Sequence, residues 1–298
     1  MTQRVGLIQV DGKWPNLALM KLSAWHKAHG DSVEWFNALE GSRYDVIYAS
    51  KVFTTTPDFP YLPAHVFKGG TGYNLDVILP LEAEQSFPDY SLYPKCDFAI
   101  GFTTRGCVRH CPFCIVPQKE GRLRVVGDLK SFWHGQRKVI LLDNNLTAAP
   151  WEHFECVMRQ FIETKVAVDF SQGLDARLIN DEQAELLAKV RLWKRIHFAW
   201  DKMNDEAAIR RGIEVLKRHI SLHDVMFYVL IGFDTVWEED LYRVETLRGM
   251  GVDPFVMPYN RRDPYQRAFA RWVNHKAVFK SVPWNRYRDS QWGRSDPA

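Results

Sequence analysis

The chain has 298 residues, 46% of them hydrophobic and 25% charged, with a net charge of +3. That balance fits a soluble globular protein of one large or two moderate domains, and the charge is too small to mark a nucleic-acid or membrane binder by itself. Five cysteines in a chain of this length exclude a disulfide framework and suit a reducing, cytoplasmic compartment.

Arg4–Val10 reads as a strand. Its apolar run is cut by Gln9 and Asp11, so it lacks the long apolar core of a signal peptide. No stretch further on reaches bilayer-spanning length, so no membrane partner is expected. Pro15 opens a helical pattern through Leu19, Leu22 and Trp25 that ends at Gly30. His26 and His29 stand three apart on it and read as an exposed helix end rather than a metal pair. Ser32–Phe36 and Tyr44–Tyr48 read as further strands, which makes residues 1–95 a small open α/β (Rossmann-like) domain. A glycine-rich turn at 69–73 and a linker-like stretch, Phe87–Pro94, complete it.

A second alternation begins at Asp97. Strands are expected at Asp97–Thr103, Lys138–Leu142, Val166–Phe170, Arg195–Trp200, Asp224–Leu230 and Val252–Met257, with helices such as Glu182–Val190, Asp205–His219 and Glu238–Gly249 between them. Periodicity alone gives a parallel α/β domain over 96–260.

The first of these strands runs into Thr-Thr-Arg-Gly-Cys-Val-Arg-His-Cys-Pro-Phe-Cys, residues 103–114. Cys107, Cys111 and Cys114 can bind three corners of an iron–sulfur cluster. Four-iron clusters ordinarily take four thiolates, so a set of three points to one iron left open for a ligand. Gly106 permits close approach of backbone to an inorganic core, and Pro112 stiffens the loop. The alternative is zinc, with His110 as fourth ligand, although no second Cys-x-x-Cys pair is present.

The window resembles the radical S-adenosylmethionine (SAM) motif, Cys-x-x-x-Cys-x-x-Cys with an aromatic residue, here Phe113, before the last cysteine. The resemblance implies a partial (β/α)6 barrel and a [4Fe-4S] cluster on the three cysteines. It also implies SAM chelated to the open iron and cleaved to a 5′-deoxyadenosyl radical. A flavodoxin- or ferredoxin-type reductant protein is the implied partner. Ligands of α/β sheets bind at the carboxyl ends of strands, which here carry Asp143, Asn144 and Asn145, then Gln172, Asp175 and Arg177, then Asp201, then Ile231, Gly232 and Asp234, then Tyr259. Asp143–Asn145 stands where the family has a Gly-Gly-Glu-like run for the SAM amino group. Leu230–Thr235 looks like its adenine-side glycine motif. Gln172–Arg177 is similar to a run in cobalamin-type relatives.

The domain before the barrel resembles two family arrangements. It lacks the Asp-x-His-x-x-Gly of cobalamin binders, and no cysteine precedes Cys96 to hold a second cluster as in methylthiotransferases. It therefore reads as a degenerate relative, with a cobalamin-assisted methyltransferase as the alternative. Cys156, beside Phe154 and Met158 in a helical pattern, reads as a small buried thiol.

Residues 261–298 form a basic, aromatic extension with nine Lys or Arg against three Asp, interleaved with Trp272, Trp284, Tyr287 and Trp292. Two uses fit it. One is a nucleic-acid surface of cations and stacking rings. The other is a helix, Gln266–Phe279, packed on the barrel. A nucleotide or nucleic-acid substrate is thus one expectation, and a non-enzymatic iron–sulfur or zinc protein that binds nucleic acid is the reading of a different class.

Overall fold

The computed structural model describes residues 2–12 and 14–292. Strand β1 (Arg4–Gln9) is buried along its middle and followed by helix α1 (Leu17–Ala28), whose first turn is capped by the Asn16 side chain accepting from the Leu19 amide. Strands β2 (Ser32–Trp35), β3 (Val46–Ser50) and β4 (Phe67–Gly69) complete a parallel sheet of order β2-β1-β3-β4, with Val5 opposite both Val33 and Val46. His26 is not at an exposed helix end: it is 3% exposed, its ring bonded to Asp31 (2.7 Å) and to the Tyr48 hydroxyl (3.1 Å).

Helix α2 (Leu81–Gln85) leads to the stretch expected as a linker. It is fixed, because the Tyr90 hydroxyl donates to the Phe132 carbonyl at 2.6 Å and accepts from the Ile100 amide at 3.2 Å. Strand β5 (Phe98–Gly101) follows, then a two-residue strand β6 (Thr104–Arg105), the short helix α3 (Val116–Lys119) and β7 (Arg124–Val125), which pairs antiparallel with β6. The chain then alternates: β8 (Lys138–Leu141), α4 (Trp151–Thr164), β9 (Ala167–Phe170), α5 (Asp181–Lys189), β10 (Ile196–Ala199), α6 (Glu206–His219), β11 (Val225–Ile231), α7 (Trp237–Gly249) and β12 (Asp253–Pro258). Two parallel sheets result, β5-β8-β9 and β10-β11-β12. They meet where Val168 of β9 exchanges hydrogen bonds with residues just before β10, donating to the Arg191 carbonyl and accepting from the Trp193 amide. The class is α/β with parallel sheets.

Alternate residues of each strand face the helices. Val139, Val168, Phe198, Phe227 and Val229 share one core with Phe154, Phe161, Leu187, Ile213 and Leu247 of helices α4 to α7. The other face of β5 and β8 is buried against the N-terminal unit, since Phe98, Ile100 and Ile140 share a core with Leu17, Leu19 and Met20. On α4 the buried stripe is Phe154, Val157, Met158 and Phe161, while Cys156 is exposed, contrary to the sequence reading.

The expected terminal helix is two helices, α8 (Pro264–Asn274) and α9 (Lys276–Ser281), followed by α10 (Trp284–Trp292). The break has a cause on β12. Asn274 uses its side chain as a strand edge, accepting from the Val256 amide at 2.7 Å and donating to its carbonyl at 3.0 Å. Trp272 and Trp284 are buried, their rings 5.3 Å apart, and the Trp272 indole donates to the Val282 carbonyl. These two rings are core and cannot stack on bases. Lys276 and Lys280 pair with Asp253, while Arg261, Arg262, Arg267, Arg271 and Arg286 are exposed. The Trp292 side chain and Arg294 lie outside the described residues.

Replacing Trp272 by Ala removes a fully buried ring and a hydrogen bond, so unfolding free energy should fall by about 3–5 kcal/mol. Chemical denaturation checks this; a loss under about 1 kcal/mol would mean that the extension does not belong to the core.

Candidate active site

After β5 the chain turns through Thr103 and Thr104, both fully buried. Their partner is Asp143 at the end of β8. Its carboxylate accepts from the Thr103 amide (2.7 Å) and hydroxyl (2.5 Å) and from the Thr104 amide and hydroxyl (both 2.8 Å). Burial pushes this carboxyl above the usual range, against the pull of the four donors. The next residue, Asn144, accepts from the Gly106 amide at 2.9 Å. Gly106 sits at φ +82, and a Cβ there would lie 2.3 Å from the Arg122 carbonyl oxygen. Asn145 is buried, its amide accepting from Thr147 at 3.0 Å and reaching Cys107 Sγ at 3.5 Å and Asp175 at 3.4 Å. The expected ammonium acceptors Asp143 and Asn144 thus spend their acceptor atoms on the cysteine loop.

Cys107 donates its backbone N–H to the Gly121 carbonyl, and its sulfur accepts from the Arg109 amide at 3.3 Å. Cys114 donates to the Cys111 carbonyl at 3.0 Å. Burial pushes the thiols of Cys111 and Cys114 up. Negative charge at Cys107 and Asp201 raises Cys114 further, and Cys114 acts likewise on Cys111, whereas Arg177 pulls Cys111 down. The three thiols and Asp201 therefore share one electrostatic neighbourhood. Among the described residues, no three His, Cys, Asp or Glu are gathered tightly enough to hold a metal ion. The donor chemistry still fits a cluster: three thiols on a loop fixed at both ends, one sulfur already served by N–H donors, and thiols whose raised pKa a bound metal would reverse.

The neighbouring strand ends close round this loop. Asp175 is 7% exposed and takes both Nε (2.7 Å) and Nη2 (3.0 Å) of Arg177, plus Nε of Arg109 at 3.1 Å. Burial raises the Asp175 carboxyl, but the two arginines outweigh it and hold it below the usual range. Arg177 also reaches Asp205 at 2.6 Å. Asp201 accepts from the Leu230 amide at 3.0 Å, and burial pushes its carboxyl up. Gln172 and Asp234 are exposed.

Gly232 turns at φ +75 against the Gln266 side chain, where a Cβ would meet Nε2 at 2.1 Å. Gln266 also accepts from the Asn260 amide, and Ile231 accepts from the Tyr259 amide, so the ends of β11 and β12 are tied together. Phe113 touches Phe233 edge-on at 5.4 Å, and Phe233 meets Tyr259 at 4.9 Å. This row of rings joins the cysteine loop to the far strands. Sequence reasoning missed Arg109 and Phe233 as site residues, although both stand inside motifs it singled out.

Over 136 residues the chain is 26% identical to the ribosomal protein uS12 methylthiotransferase RimO of Alkalilimnicola ehrlichii (strain ATCC BAA-1101 / DSM 17681 / MLHE-1). The match takes in 41% of this chain, and the chain spans about a quarter of the length of that curated relative. No family model matches. A likeness of this extent is partial and does not by itself assign the chain to a family. Among the described residues no helix is long and apolar enough to cross a membrane.

Gly106→Ala should displace the loop and lower iron bound after anaerobic reconstitution by at least about half, since a Cβ there meets backbone. Gly135→Ala, also at positive φ but with nothing within 4 Å, should keep its iron. Equal iron in both variants would contradict this account of the loop.

Proposed function

We propose that this chain is a radical SAM enzyme built on a partial (β/α)6 barrel of strands β5 and β8 to β12. The observation that carries the reading is the locked loop bearing Cys107, Cys111 and Cys114 at the carboxyl end of β5, held by three consecutive residues from the end of β8. When bound, a [4Fe-4S] cluster supplies the electron that cleaves SAM to methionine and a 5′-deoxyadenosyl radical, which takes hydrogen from the substrate. A flavodoxin- or ferredoxin-type protein would deliver that electron.

The chain's own residues divide the remaining work. Asp143 and Asn144 fix the backbone on which the thiols are carried. Asn145 and the Arg109 amide place N–H donors at the Cys107 sulfur, which fixes where that sulfur sits. Arg177, charged and pinned by Asp175 and Asp205, offers a cation for a carboxylate beside Cys111. Gln172, Asp201 and Asp234 supply acceptors for ammonium and ribose hydroxyls at neighbouring strand ends. Phe113, Tyr259 and the Ile231-Gly232 turn form the apolar side of the same mouth, suited to the flat face of adenine.

Anaerobically reconstituted protein with SAM and a strong reductant should release 5′-deoxyadenosine and methionine. Cys107→Ala, Cys111→Ala and Cys114→Ala should each abolish release and iron binding, while Cys156→Ala, on the exposed side of α4, should keep both. Stoichiometric zinc without iron would overturn the reading.

A further inference from the structure

Helix α8 begins beside the candidate site and runs back along the edge of the sheet β10-β11-β12. Gln266, in its first turn, accepts from the Asn260 amide just past β12, and Asn274, its last residue, bonds the Val256 amide and carbonyl. β12 is the last strand of that sheet. One stripe of α8 is buried, through Phe269, Trp272 and Val273. The opposite stripe carries Arg267 and Arg271, both exposed and one helical turn apart. Arg261 and Arg262, also exposed, stand between Tyr259 and the start of the helix.

Among the described residues, the side chains of Arg261, Arg262, Arg267 and Arg271 form no ion pair. Elsewhere Arg4, Arg105, Arg159, Arg177, Arg195 and Arg218 each hold a carboxylate. The lysines that follow, Lys276 and Lys280, are paired with Asp253, and Asp263 is spent capping α8 through the Gln266 amide. The cations left over here are therefore arginines, whose planar fork matches a phosphate group. On β12, Val256 faces the helical core, so Phe255 and Met257 turn to the other face, where each is 38% exposed. A line of free cations thus borders a strand that carries an open ring.

We propose that the substrate is a single-stranded stretch of nucleic acid, whose phosphates lie along Arg261, Arg262, Arg267 and Arg271 while a base stacks on Phe255. Arg267 and Arg271 stand about 6 Å apart along the helix axis, a spacing that successive phosphates of an extended strand can match. Single strands are held by this pairing of cations along the backbone with rings against the bases. The bases of a duplex are already stacked on one another and have no face to offer Phe255. Arg261 and Arg262 lead the strand to the site beside Tyr259. What is then done to the strand rests on the radical SAM reading, but binding does not.

The test is fluorescence anisotropy of a labelled oligouridine and of a labelled oligodeoxythymidine, each of roughly ten nucleotides, within the span of one single-strand site. Reconstituted protein is used with SAM and without reductant, and saturable binding of either oligomer supports the proposal. Four phosphate contacts predict a log–log salt slope near −3, flagged as about −0.7 for each contact. Arg267→Ala with Arg271→Ala should flatten the slope by about 1.4 and weaken binding about 25-fold at about 0.1 M salt. Arg159→Ala with Arg218→Ala removes the same charge from arginines already paired with carboxylates, and should leave affinity and slope unchanged. Phe255→Leu keeps an apolar side chain without a ring, and should weaken binding about tenfold at an unchanged slope. No binding up to about 100 μM, the weak end for non-specific contacts, overturns the proposal. So do equal losses in the two arginine pairs, full binding by Phe255→Leu, or displacement by polyglutamate as readily as by unlabelled strand. Release of 5′-deoxyadenosine is scored separately: release without strand binding rejects this surface alone, whereas binding without release rejects the radical reading and leaves the surface standing.

Discussion

The structure depends on one buried carboxylate. Asp143 takes all four donors that Thr103 and Thr104 can offer, and so joins the exit of β5 to the end of β8. The two residues after it continue the same work along the loop, Asn144 on Gly106 and Asn145 on Cys107. Three consecutive residues on one strand end thus set the backbone path of the cysteine loop. A buried anion is tolerable only when its lone pairs are filled, so the threonines and the aspartate need each other. The loop is long and glycine-containing, and this seam fixes its start, while Arg109 on Asp175 and Phe113 on Phe233 tie it to the other strand ends.

The rest of the site repeats the principle that polar strand ends satisfy one another first. Asp175 is held by Arg177 and Arg109, and Arg177 in turn by Asp205. Gln266 packs against the Gly232 turn and accepts from the Asn260 amide. The fixed rim leaves a smaller set of groups for ligands, namely the pinned Arg177, Gln172, Asp201, Asp234 and the ring row Phe113, Phe233, Tyr259. Rigid support around a few open groups is what a site needs to hold reacting atoms in place. On the other side of the same strands, Asp169 Oδ1 and His197 Nδ1 are buried with no partner among the described residues.

Much of this was legible in the sequence, and the gaps have physical reasons. Strands β1, β8, β9, β10 and β11 fall within a residue or two of their expected bounds, because each is an apolar run bounded by turn or charged residues. The cysteine loop was legible from its spacing. The hairpin β6–β7 was not, since two-residue strands carry no period. The break between α8 and α9 was hidden because its cause, Asn274 pairing with Val256, lies 18 residues away. Asp143 was readable as a polar strand end but not as a clamp, its partners being some 40 residues earlier. Cys156 lies two positions from Phe154, roughly 200° round a helix, which puts it on the opposite, exposed face of α4.

The central claim is that three thiolates leave one iron of a four-iron cluster open to SAM. Electron–nuclear double resonance on the reduced, reconstituted protein tests it most directly, with SAM carrying 15N in its amino group and 17O in its carboxylate. The account predicts hyperfine coupling of both labels to the cluster, lost in Cys111→Ala. A cluster that forms and reduces but shows no coupling to either label would contradict it.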